Sequence, residues 1–100
     1  MTIRYTPELI EYMNKKNNHT VLVELVEINN TDVEVVDLHD YLPHRNQKEK
    51  FLKEKKYRVI TTEVGDVLLP PYPLQMEEEI TFGLKKWWIF TSMSYTGIKV

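Results

Sequence analysis

Residues 57–70 read YRVITTEVGDVLLP. Tyr57 to Thr62 alternates in the manner of a strand, Gly65 and Asp66 punctuate it, and Val67 to Leu69 returns as a partner strand. Pro70, Pro71 and Pro73 follow, and a proline cannot donate to a central ladder. The stretch therefore predicts a β-hairpin that stops at Pro70, with PPYPLQ left as an exposed loop or an edge.

The segments on either side read in the same terms. Toward the N-terminus, Thr6-Pro7-Glu8 is a helix start: a hydroxyl to cap free amides, a proline at the first helical position, and an acid favoured by the helix dipole. Leu9, Ile10 and Met13 then recur at helical spacing, and Lys15, Lys16, Asn17 and Asn18 close a helix over 7–16. His19 to Ile28, HTVLVELVEI, is the strongest strand in the chain, with Glu24 on its wet side. Asn29-Asn30-Thr31-Asp32 reads as a turn, and a second strand from Val33 to about Leu38 completes an antiparallel hairpin. Residues 46–56, NQKEKFLKEKK, are good helix formers that offer only Phe51 and Leu52 to a core. After the proline loop, Glu79 to Leu84 alternates again. WWIFTSMSYTGIKV then adds one or two strands, with Gly97 turning or kinking the chain. The expectation is one α+β domain spanning residues 1–100, assembled from hairpins rather than from right-handed crossovers.

Composition narrows the classes of function. With 100 residues the chain can bury one modest core. Apolar residues at 42% and charged residues at 28% are ordinary globular values. There is no cysteine, so neither a disulfide framework nor a thiolate-ligated zinc or iron–sulfur centre can be built from this chain alone. The opening MTIRYTPEL has no apolar run of the signal-peptide kind, and no apolar stretch approaches the roughly 20 residues that span a bilayer. A soluble cytoplasmic protein with no membrane partner is expected. Formal net charge is −2, but it is unevenly spread: residues 45–58 hold seven basic and two acidic side chains, and the remainder six basic and thirteen acidic. One basic segment sits on an acidic body.

The order of these elements resembles the HesB-like superfamily of A-type iron–sulfur carriers, and most closely the small HesB-related proteins with a Cys-Cys or Cys-selenocysteine motif. Tyr57, Val59, Val64, Gly65, Val67, Leu68 and Leu69 fit the family's hairpin pattern. Glu79, Ile80, Leu84, Lys85, Lys86 and Trp87 fit the strand that follows it, and Gly97 with Ile98 fits its closing Gly-Ile. The resemblance implies a small barrel or sandwich of hairpin strands. It also implies where chemistry is missing: the family's first cysteine lies in the turn after the long strand, which in this chain is Asn29-Asn30-Thr31-Asp32. No family ligand has a counterpart here, so no residue role is carried over and no cofactor is expected.

Four groups of residues remain as candidates. Asp37 and His39, two apart in an extended segment, share a face and could present a carboxylate and an imidazole to one ion; His44 beyond Pro43 could join them only if the chain doubles back. The bland reading of the same residues is a polar strand end, with Asp40 beginning a turn. For catalysis, Ser92 and Ser94 lack a nucleophile elbow and the three glycines make no phosphate loop, so no enzyme is expected. The basic segment 45–58, with Lys53 and Lys55 at its centre, is either the solvated face of a helix or a phosphate-binding surface. In the second case Phe51, Tyr57, Trp87 or Trp88 would stack on bases, though the acidic remainder of the chain opposes a long polyanion. Trp87 and Trp88, adjacent in a strand, would face opposite ways, leaving one to anchor a protein partner or a second copy. The leading expectation is a small non-enzymatic binding or accessory protein. Nucleic-acid binding through residues 45–58 and a metal or iron–sulfur accessory role through His39 and His44 are the alternatives.

Overall fold

Thr6 ends a strand and starts a helix. Its extended backbone (φ −69°, ψ 152°) carries the Oγ1 that accepts from Leu9 N at 3.3 Å, and Pro7 takes the first helical position. In the computed structural model this is helix α1, Pro7–Lys16, closed by Asn17 in the left-handed region (φ 50°). Residues 1–29 and 34–100 are described, without the side chains of residues 28, 29, 34, 35 and 87. The turn read at Asn29-Asn30-Thr31-Asp32 falls largely outside them.

The strand before α1, β1 (Thr2–Tyr5), is one the sequence did not announce. The remaining elements are β2 (Thr20–Asn29), β3 (Glu34–Tyr41), helix α2 (Arg45–Lys53), β4 (Arg58–Thr61), β5 (Asp66–Leu69), β6 (Gln75–Trp87) and β7 (Phe90–Lys99). They form two sheets, ordered β3-β2-β5-β4 and β1-β6-β7. The expected antiparallel hairpins are present, with Glu24 opposite His39 in β2–β3 and Val59 opposite Leu68 in β4–β5.

The assembly from hairpins alone is corrected by two parallel pairs. β1 runs parallel to β6 (Ile3 opposite Ile80), and β2 runs parallel to β5 (Val21 opposite Val67). Both sheets are thus mixed, and no closed barrel forms among the described residues. The fold class is α+β. Two further boundaries move: β3 continues past Leu38 to Tyr41, so Asp40 lies inside a strand rather than opening a turn, and β6 is a 13-residue strand that begins at Gln75.

The sheets and α1 share one core. Leu9 and Met13 of α1 are fully buried against Val21, Val23, Phe82 and their neighbours, each worth about 1.5–3 kcal/mol of transfer free energy. A satellite cluster of Leu22, Phe51, Tyr57 and Leu68 fastens α2 to the outer side of the four-stranded sheet. At two points the ends of the sheets touch: Tyr5 Oη and Thr62 Oγ1 are 2.9 Å apart, and Tyr95 Oη donates to Leu38 O at 3.0 Å. Gly65 is required where β2 begins, because a Cβ there would stand 1.8 Å from His19 O. That same carbonyl accepts from Asp66 N at 3.0 Å, which sets the register of β5 on β2.

Candidate functional site

Alternation along β3 puts Asp37, His39 and Tyr41 on one face and Leu38 and Asp40 on the other. His39 Nε2 lies 3.7 Å from Asp37 Oδ2, and both side chains are about half exposed, at 53% and 57%. His44 does not join them. It stands beyond Pro43 as the residue ahead of α2, where its N–H donates to Gln47 Oε1 at 3.1 Å. Among the described residues, no group of three or more His, Asp or Glu side chains comes together in a way that could hold a metal ion. The exposed pair alone falls short of the three protein ligands that a zinc site takes.

Asp40, read from the sequence only as the start of a turn, is the half-buried acid of this strand. Its Oδ2 is out of solvent and accepts no hydrogen bond among the described residues. Burial pushes the carboxyl up to about 6, and its own N–H, the His39 imidazole and the Lys85 ammonium lower it only in part. Tyr95, which bridges β7 to β3, is raised by burial and then by the nearby Asp37 and Asp40 charges.

The basic segment divides into a helix and the link that follows it. Lys48 Nζ is 3.5 Å from Asp66 Oδ2, and Lys55 Nζ stands 4.7 Å from the centre of the Phe51 ring. Lys53 is exposed at the end of α2. Two of the aromatics expected to stack on bases, Phe51 and Tyr57, are turned the other way. They are buried and pack edge to face at 4.7 Å, and Tyr57 Oη accepts from Leu25 N at 3.1 Å, at a stretch of β2 that β5 has already left. The exposed aromatic beside these cations is Tyr72, which lines one cleft with Lys55 and with the acids Glu27 and Glu54.

At the far end of the β6–β7 ribbon the arrangement is different. The ladder pairs Lys85 with Ser92, Lys86 with Thr91 and Trp87 with Phe90, so Trp88 and Ile89 form a two-residue turn. This replaces the expectation of two strand tryptophans facing opposite ways: Trp88 is a turn residue at φ 57°. Left-handed backbone at a bulky side chain costs on the order of 1–3 kcal/mol. The ladder on either side holds it there. Trp88, Ile89 and Phe90 are 92%, 81% and 62% exposed, three consecutive large apolar side chains held out in water. The side chain of Trp87 lies outside the described residues. Lys85 and Lys86 flank the tip, and the cleft beneath it is lined by Leu84, Lys86 and Thr91 with Glu11, Lys15 and Lys16 of α1. The sequence showed the aromatic run but not the turn within it, since neither Trp88 nor Ile89 is a residue that favours turns.

Among the described residues no helix is long and apolar enough to cross a membrane. Comparison of the chain with protein-family models, with curated proteins and with solved structures finds no match.

Proposed function

We propose that this chain is a small non-enzymatic binding or accessory protein of the cytoplasm, built on a HesB-like scaffold without the ligands for a cluster, and that it meets a protein partner or a second copy through the tip of the β6–β7 ribbon. The observation that carries this reading is the exposure of Trp88, Ile89 and Phe90. Large apolar groups lose free energy in water unless something covers them, and a tryptophan on a tight turn loses little entropy when it is bound. Tyr72, 56% exposed in the PPYPLQ loop, is a secondary contact. Nucleic-acid binding through residues 45–58 is the weaker reading, because the aromatics of that segment are in the core. A metal role through His39 and His44 is weaker again, since the two histidines are not drawn into one ligand group.

Site-specific photo-crosslinking in the native cell tests the proposal. A photoreactive phenylalanine at position 88 is expected to trap a discrete adduct, while the same group at Val59, also exposed but on β4, traps none. No adduct at 88, or equal labelling at both positions, would overturn it. The mass of the adduct tells a foreign protein from a second copy.

A further inference from the structure

Two of the strands that end the sheets, β3 and β7, adjoin through the Tyr95–Leu38 hydrogen bond, whereas β1 and β4 form the walls of an open cleft of about 570 Å³. Residues 1–5 and 60–64 line it, with Ile10 of α1. The gap is wider than the roughly 4.8 Å between paired strands, because a tyrosine side chain is needed to reach across: Tyr5 Oη meets Thr62 Oγ1 at 2.9 Å and closes one end. The walls carry free backbone groups. Thr6 N donates to Phe82 O at 2.9 Å, and peptide groups alternate in direction along a strand, so the N–H and C=O of Arg4 face β6 while those of Ile3 and Tyr5 face away from it. β1 pairs with β6 alone, and the backbone groups of Ile3 and Tyr5 make no hydrogen bond among the described residues. On β4, Thr62 N donates to Gly65 O at 2.8 Å, and the same count turns the groups of Val59 and Thr61 away from β5. Between these rows the cleft is apolar, with Ile3, Ile10, Ile60 and Val64 half-buried in it. Arg4 is held by Glu79 at 3.0 Å, while Glu63, at the Tyr5 end, is exposed and makes no ion pair among the described residues.

From this arrangement we infer that the cleft binds an extended peptide segment of a partner protein, which adds to β1 as an antiparallel strand. A row of unpaired N–H and C=O groups at strand spacing is complementary to another extended backbone. Direction agrees: β1 and β4 both run toward the Tyr5–Thr62 contact, so one chain can lie antiparallel to both. A peptide residue opposite Ile3 points to the same face as Ile3, so a branched apolar side chain there enters among Ile10, Ile60 and Val64. Glu63 favours a basic residue at the N-terminal end of the peptide. The far wall argues against a second copy as the occupant. Any edge strand of a folded copy brings its own paired neighbour one strand spacing behind it, into the space that residues 60–64 fill. This contact is separate from the ribbon tip and does not rest on it.

The probe that tests this is an acetylated and amidated peptide of about six residues, lysine first and then valine and threonine in alternation, the length and composition of a short strand. Added at up to about 1 mM, the range of weak contacts, to the labelled whole chain, it is expected to shift the amides of residues 2–5 and 60–64. N-methylation of its valines keeps the side chains and removes their N–H groups, and the affinity should fall about tenfold, the scale of one lost hydrogen bond. Ile3→Pro removes an N–H that faces away from β6, so the ladder is kept while the peptide is lost. Glu63→Lys, at an exposed position, should weaken the lysine peptide and favour one with glutamate in its place. No shift at residues 2–5, or equal affinity of the parent and methylated peptides, overturns the inference. So does a concentration-dependent change at residues 2–5 without peptide, which makes a second copy the occupant.

Discussion

Asp40 shows how a single side chain departs from its local signal. Aspartate favours turns, and Pro43 three residues on strengthens that reading; yet the residue is paired with Val23 inside β3, because β2 is long enough to draw β3 out to Tyr41. The carboxyl is thereby half-buried and raised to about 6. A folded-state value above the unfolded one means the fold holds the proton more tightly, so stability falls as pH rises between about 4 and 6 and stays reduced above that. Discounted for partial exposure, the cost at pH 7 is on the order of 1–2 kcal/mol. Asp40→Asn should therefore raise the urea midpoint at pH 7 and leave it nearly unchanged at pH 4. Equal gains at both values would remove ionisation as the cause. Asp37 and His39, by contrast, were legible as a same-face pair from strand period alone.

At the scale of elements, legibility followed the number of local signals. Helix α1 carries a cap, a proline and a left-handed closing asparagine, and its bounds match the residues that announce it. Helix α2 carries fewer. It rests on Phe51, which is 4% exposed among Leu22, Tyr57 and Leu68, with Leu52 half-buried beside it, and most of its remaining surface is solvated. Phe51→Ala should cost about 3 kcal/mol and release α2 before the sheets, seen as a lower urea midpoint with early loss of amide protection at residues 45–53. A variant that keeps that protection would mean α2 is held by its surface charges instead. The β6–β7 turn had no such signal. Its residues are Trp88 and Ile89, and the long ladder of Lys85–Ser92, Lys86–Thr91 and Trp87–Phe90 imposes the turn from outside.

Over the whole molecule, the antiparallel hairpins were legible because their strands are neighbours in sequence, and the parallel pairs β1–β6 and β2–β5 were not, because nothing local records a partner more than 40 residues away. The consequence is a ribbon held by β1 along Glu79–Phe82 and running on past it to an exposed apolar tip. That ribbon, rather than the basic helix, is the surface through which this account has the protein act. Amide shifts of labelled protein, followed as unlabelled protein and then a soluble extract of the native cell are added, test the claim most directly. The expected result is change concentrated at residues 85–92, and none along α2 at 45–53. Shifts centred on α2, or a tip at residues 88–90 that does not respond, would contradict it.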